Sequence, residues 1–239
     1  MRLLSAMSVI TALLAVLLVS KSIAADAKET GLDAYEAGHY RQAYEILSPL
    51  ARAGDADAQY VVGLMYAEGQ GVEQNFYEAG KMYRRAGEQD HAGAQVNLGS
   101  LFENCYGNGP CNSAEAAQWY RRAADQGNAL GQFNLALMYA LGEGVVESEW
   151  RARTLFRQAA EQGYTAAQYN LAVAYERGLG GPVDHVAAYA WYDLAAHRGY
   201  QAGDVGRENV ARILDAANLS QAQKLSELLK NSYDSAQWK

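Results

Sequence analysis

The stretch Ala167–Ala196, AQYNLAVAYERGLGGPVDHVAAYAWYDLAA, decides the fold, because it is one period of a repeat. Gln168 is preceded, at steps of 36, 37 and 36 residues, by Gln132, Gln95 and Gln59, each within the pattern Q-x-x-x-(G/A)-x-x-(Y/F). A second marker keeps the same beat: Tyr83, Tyr120, Phe156 and Tyr192 are each followed three residues on by alanine, at Ala86, Ala123, Ala159 and Ala195. Periods of this length belong to solenoids, propellers and arrays. Within the period, Ala167, Leu171, Ala174 and Tyr175 recur at helical spacing. Gly63, Gly99, Ala136 and Ala172 are small enough to let a second helix approach.

A glycine loop then ends the first helix, at Gly69-Gln-Gly71, Gly142-Glu-Gly144 and Gly178-Leu-Gly-Gly181, where positive-φ turns are needed. Asn75, Asn112, Ser148 and Asp184 stand where the next helix needs an N-cap. Asn75/Glu78 and Asn112/Glu115 also have the spacing of a capping box. The second helix carries Ala79, Ala116, Ala152 and Ala188 with the recurring aromatic. Neither helix can bury its apolar face alone, so consecutive pairs must stack. The expected fold is all-α: a right-handed superhelical solenoid of about five helix pairs with a C-terminal helical cap.

These residues resemble the Sel-1-like repeat family, a relative of the tetratricopeptide repeats. The resemblance is carried by Ala56-Asp-Ala58-Gln-Tyr60, Gly63, Tyr66, Gly69-Gln-Gly71-Val72, Ala79, Tyr83 and Ala86, and it extends over about Leu32 to Tyr200. The copy at Ala94–Gly127 departs in its loop, where Cys105, Pro110 and Cys111 replace the usual glycines and one residue is inserted. The resemblance implies stacked helix pairs and a surface for partners, since such a frame hosts many binding functions.

Residues 1–24 lie outside the repeats. Arg2, the apolar run Leu3–Val19, and small residues Ser22 and Ala24 before a cleavage point are read as a secretory signal peptide, with Ala25 and Ala27 as a second site and an uncleaved membrane anchor as the rival reading. Residues 30–239 are expected to form one domain. A degenerate pair at 32–54 turns at Gly38-His39-Tyr40 and contains Pro49, which should bend or end its helix. Repeats follow at 55–90, 91–127, 128–163 and 164–199, and a cap at 200–234. In the cap, Val205–Ala217 is amphipathic through Val210, Ile213 and Leu214. A last helix is expected to open at Leu219-Ser220, with Ser220 as N-cap and Leu225, Leu228 and Leu229 on one side.

The formal net charge is −7, and loss of Arg2 and Lys21 with the signal peptide would make it −9. An acidic chain argues against nucleic acid or anionic lipid as ligand, because both are held through Lys and Arg. Cys105 and Cys111, an even and close pair in an exported chain, are expected to form a disulfide. A metal site would need two further ligands, and a redox centre would favour C-x-x-C beside a strand. Relatives with a disulfide in every repeat differ from this chain. His39, His91, His185 and His197 lack metal-ligand spacing and suit solvated or capping roles. Gly142-Glu-Gly144 resembles a phosphate loop only until its counterparts identify it as a helix connector. No nucleophile–base pair is evident, so neither catalysis nor a cofactor is expected.

In tetratricopeptide-like stacks the first helices line the concave side. With Ala58, Val62 and Tyr66 facing the core, the opposite face presents Tyr60, Leu64 and Glu68, and in later copies Asn97, Phe133, Asn134, Tyr169, Asn170 and Arg177. Rings cover apolar groups and amides bond an extended backbone, which suits a protein or peptide ligand. The expected function is a monomeric, non-catalytic periplasmic or secreted adaptor, with envelope regulation or host contact among the roles the resemblance implies. The mature chain is not expected to enter a membrane. The alternatives are a cell-wall-associated hydrolase of β-lactamase type, suggested by the disulfide-rich relatives, and a glycan-binding module, suggested by 17 Tyr and 4 Trp.

Overall fold

Residues 24–106 and 111–236 are described by the structure, a computed structural model of the chain. The signal-peptide reading therefore lies outside the described residues, apart from Ala24. Twelve helices and no strand occur among them. The chain divides into two compact units between Pro110 and Cys111. The first holds α1 (residues 24–36), α2 (Tyr40–Ala53), α3 (Ala56–Glu68), α4 (Phe76–Glu88) and α5 (Ala92–Glu103). The second holds α6 (Ser113–Asp125), α7 (Ala129–Leu141), α8 (Glu149–Glu161), α9 (Thr165–Arg177), α10 (His185–His197), α11 (Gln201–Ile213) and α12 (Ala216–Ala236). In each unit, successive helices from α2 to α5 and from α6 to α11 pack on their neighbours, and α12 folds back onto α10. This is the all-α, Sel1/tetratricopeptide-like arrangement of helix pairs packed in succession.

All four N-caps of the second helices form as expected. Asn75, Asn112, Ser148 and Asp184 accept from the backbone N–H three residues on, at 3.1, 3.1, 3.4 and 2.9 Å. The reciprocal half of the capping box does not form at Asn75, for a physical reason. The Asn75 N–H donates to the Tyr66 carbonyl at 2.8 Å, as Ser148 does to Tyr139 and Asp184 to Tyr175, so no donor remains for Glu78. Glu78 instead pairs with Lys81 at 3.0 Å.

The first helices stop on a left-handed residue: Gly69, Gly142 and Gly178 have φ of +70°, +70° and +72°. Cys105 stands at the same register and adopts φ +60° without being glycine. The stop survives, because the Tyr106 N–H still donates to Leu101 O at 3.0 Å, as Gln70 does to Met65. Both cysteines are disulfide-bonded. For so small a ring the chain-entropy gain is about 2 kcal/mol. Reduction should thus lower stability by no more than that and leave the helical CD signal intact. Loss of all helicity on mild reduction would contradict this.

The recurring glutamines are core residues. Gln59, Gln95, Gln132 and Gln168 are buried, and each Nε2 donates to the carbonyl eight residues back, fastening a first helix to the end of the preceding second helix. Gln59 Oε1 and Gln132 Oε1 also accept from Gln89 and Gln162, at 2.8 and 2.7 Å. Among the described residues Gln168 Oε1 has no hydrogen-bond partner, and the Ala160 carbonyl that accepts from Gln168 Nε2 is also served by the Tyr233 hydroxyl at 3.0 Å. Gln59→Leu should therefore cost about 1–2 kcal/mol, while Gln168→Leu should stay within about 0.5 kcal/mol of the parent. Urea denaturation of the two variants tests this, and equal losses would refute it.

Three local expectations are corrected. Helix α2 does not end at Pro49 but runs on to Ala53 and stops at Gly54, φ +106°. The last helix opens at Ala216, not at Ser220, because Asp215 arrives first and caps it by accepting from Asn218 N at 2.8 Å. In the cap Val210, Ala222 and Ser226 are buried, whereas Ile213 and Leu228 are exposed.

The cap is held through a charged centre. Asp193 on α10 is 9% exposed and accepts from Arg207 of α11 at 2.8 Å and from Lys230 and Ser226 of α12 at 2.6 and 2.5 Å. Burial pushes its carboxyl pKa up, but the hydrogen bonds from Lys230, Ser226 and Arg207 outweigh that and hold it below the usual carboxylate value.

Candidate functional site

The nine expected partner-facing residues fall on four first helices: Tyr60, Leu64 and Glu68 on α3, Asn97 on α5, Phe133 and Asn134 on α7, and Tyr169, Asn170 and Arg177 on α9. In the first unit Tyr60 stacks on the His91 ring at 4.3 Å and tilts against Tyr83 at 6.2 Å. His91 is held in place by its capping role, with Nδ1 accepting from Ala94 N at 3.1 Å. Burial drives the Tyr60 and Tyr83 hydroxyls to higher pKa, the Asn97 amide offsets a little of that rise, and the exposed Glu68 adds to it. Tyr60, Glu68 and Asn97 are thus one cluster around Tyr83, with both phenols kept protonated.

The second unit repeats the plan. Phe133 lies between Phe156 at 5.9 Å and Tyr164 at 4.9 Å, and Tyr169 between Tyr192 at 5.5 Å and Tyr200 at 4.8 Å. The residue after each buried Gln therefore packs against the second-helix aromatic and the residue that opens the next repeat. In the remaining copy that place holds the buried Val96. The Tyr192 hydroxyl donates to Glu176 at 2.6 Å, and burial with that bond pushes its pKa up. Asn170 Nδ2 donates to Ala166 O at 2.8 Å. Asn170 also lines, with Leu137, Val173 and Phe156, a cavity of about 200 Å³ between α7, α8 and α9. Leu64 and Asn134 are half-buried, and Arg177 is exposed in the last turn of α9.

An arginine register went unread in the sequence. The ninth residue of the second helix is Arg84, Arg121 and Arg157 in α4, α6 and α8. Arg84 lies over the Phe102 ring at 5.5 Å, while Arg121 and Arg157 donate to the hydroxyls of Tyr139 and Tyr175 at 2.9 and 3.1 Å. In α10 the same register is Asp193. The 36- to 37-residue spacing of these arginines was available, but their ring partners follow only from stacked geometry. Val146 and Trp150 are exposed around the loop between α7 and α8, beside the exposed Leu141 at the end of α7.

Helix pairs fastened by buried glutamines, with a first-helix face of rings and amides, define a tetratricopeptide-like repeat scaffold. The chain belongs to the Sel1 repeat family, whose repeat matches residues 56–91, 92–128, 129–164 and 165–200. Sel1 repeat proteins are generally protein-interaction scaffolds, and the fold is typically non-catalytic. A Sel1 repeat protein from Oxalobacter formigenes is 30% identical, with a TM-score of 0.74 over 86% of this chain and 84% of its own. A protective antigen present in uropathogenic Escherichia coli strains, which displays an SLR fold, is 36% identical with a TM-score of 0.72. That match covers 78% of this chain, which spans only 40% of the antigen. A Sel1 repeat protein of Klebsiella pneumoniae, 17% identical with a TM-score of 0.51, shares the fold. No curated protein matches the chain. No helix among the described residues is long and apolar enough to cross a membrane.

Proposed function

We propose that this chain is an exported, monomeric adaptor that binds a protein or peptide on its first-helix face, in the periplasm or outside the cell. The observation that carries the proposal is the cavity between α7, α8 and α9. Its apolar wall of Leu137 and Val173 suits a partner's aliphatic side chain, and Asn170, whose Nδ2 is used within its own helix, keeps Oδ1 for a backbone N–H. Phe133 and Tyr169 hold the corresponding first-helix positions in the second unit, as Tyr60 and Asn97 do in the first. Export is supported by the sequence of residues 1–24 and by the disulfide, which persists in oxidising compartments.

Affinity capture from envelope extract with the parent chain and with a Leu137→Glu/Val173→Glu variant tests the surface. A partner retained by the parent and lost by a folded variant supports it, and equal capture by both removes it. Mass spectrometry of the exported protein tests the leader. A mature start at Ala25 or Lys28 is expected, and an intact Met1 would refute export by cleavage.

A further inference from the structure

The first unit contains an aromatic groove whose counterpart at the α8–α9 seam of the second unit is filled by the chain itself, while at the α6–α7 seam the same register holds Ala117. Gly80 is the fifth residue of α4 and Arg153 the fifth residue of α8. Arg153 is 8% exposed, lies 4.2 Å over the Tyr175 ring, and donates to Pro182 O at 3.3 Å. Arg157, one turn later, approaches the same ring at 5.9 Å. In the first unit Phe102 takes the place of Tyr175 and Arg84 that of Arg157. Among the described residues, no side chain takes the place of Arg153. Gly80 borders instead a cavity of about 220 Å³ walled by Phe102, Phe76, Tyr77, Leu101 and Tyr106.

Packing does not require this glycine. Its backbone is helical, and a Cβ there would meet only Leu101 Cδ1, at an ordinary 3.5 Å. A glycine inside a helix is less stable than alanine, so Gly80 leaves this place open at a cost that packing does not demand. The wall of the groove is also specially built. Tyr106 stacks on Phe76 at 4.6 Å and 16°, and it directly follows the disulfide-bonded Cys105. Lys81, which also lines the cavity, has both Glu78 oxygens at 3.0 Å and lies 5.5 Å over the Tyr77 ring. What the groove offers is aromatic surface at the position where the second unit lays a guanidinium.

We propose that this groove receives an arginine side chain from a partner protein, laid on Phe102 as Arg153 is laid on Tyr175. Planar cations bind well over ring faces. Two guanidinium groups at one ring already occur at Tyr175, so Arg84 is compatible with a second. The chain's net charge of −7 favours the approach of a basic segment. The groove shares no residue with the first-helix face proposed above, so either site can fail alone.

The test titrates the full mature chain with acetyl-Gly-Arg-Gly-amide, its citrulline analogue and acetyl-Gly-Glu-Gly-amide, following the Phe and Tyr ring resonances by NMR. The arginine peptide should shift Phe102 and Tyr106 saturably at millimolar concentration. Citrulline, alike in shape but uncharged, should bind about tenfold more weakly, and the glutamate peptide should not compete. Gly80→Arg should abolish the response by filling the slot from within, and Phe102→Leu by removing the ring, whereas Gly80→Ala should retain it. No response to the arginine peptide, equal binding of citrulline, preference for glutamate, or an undiminished response in Phe102→Leu would each overturn the proposal. Should Gly80→Arg not fold, Phe102→Leu and Gly80→Ala decide the question.

Discussion

Asp193→Ala should loosen the C-terminal helices from the array and cost about 3 kcal/mol, the low end for breaking a buried ion pair, because Arg207 and Lys230 can still turn partly to water. The carboxylate is reached by both α11 and α12, through Arg207 on one and Ser226 and Lys230 on the other. Its removal takes an acceptor from two cations and a hydroxyl at once, although Arg207 keeps Asp204 at 3.0 Å. Limited proteolysis should then cut within residues 201–236 while the repeats resist, and denaturation should begin with that segment. Asp193→Asn, which keeps an acceptor, should lose less. The pH dependence has a definite sign. The folded carboxyl titrates below its unfolded value of about 3.9, so its contribution is complete above that pH and disappears as pH falls through the lower folded value. The stability gap between parent and Asp193→Asn should therefore close in acid. A gap unchanged down to pH 2 would rule out this account.

The second large effect is expected at a loop glycine. Gly144 has φ +69°, and a Cβ on it would lie 2.2 Å from the backbone C and O of Ser113. Gly71 and Gly180 approach the starts of α2 and α8 in the same way, at 2.6 and 2.3 Å. Gly144→Ala must both hold a left-handed alanine and push two backbones apart, which together should cost about 3–4 kcal/mol. Gly142→Ala shares the positive φ, but its Cβ would sit at an ordinary contact distance, 3.4 Å, from Glu147 Cβ, so about 1 kcal/mol is expected. Thermal denaturation of the two variants separates the terms. Similar losses would show that the close approach at Gly144 contributes nothing.

The helix pairs were legible because their signals are local. The cap at Asn75 needs only a side chain and a backbone three residues away, and the stop at Gly69 needs only a backbone angle. The cap that failed, at Ser220, failed for a local reason too, since Asp215 lies earlier in the chain and had already started the helix. The capping box was a different kind of miss: the Asn75 donor is taken by Tyr66, nine residues back across a loop. The candidate face was legible as a set of positions but not as contacts. Tyr60, Phe133 and Tyr169 were expected to look outward, and each is half-buried between rings supplied by residues 23 to 31 positions later. The groove at Gly80 required a comparison between repeats at a position where the marker residues differ.

The change from Arg157 to Asp193 at one register bears on how such a chain can grow. Gene duplication lengthens arrays by copying whole periods. A second copy of residues 129–164 would meet its neighbours through the same arginine-to-tyrosine contact that Arg121 and Arg157 make now. A second copy of residues 165–200 would not. The Asp193 of the first copy would face a tyrosine ring instead of Arg207 and Lys230, leaving a carboxylate in the seam without a counter-charge. The acid thus acts as a full stop in the lineage of the array, leaving the interior open to insertion and closing its last period to it.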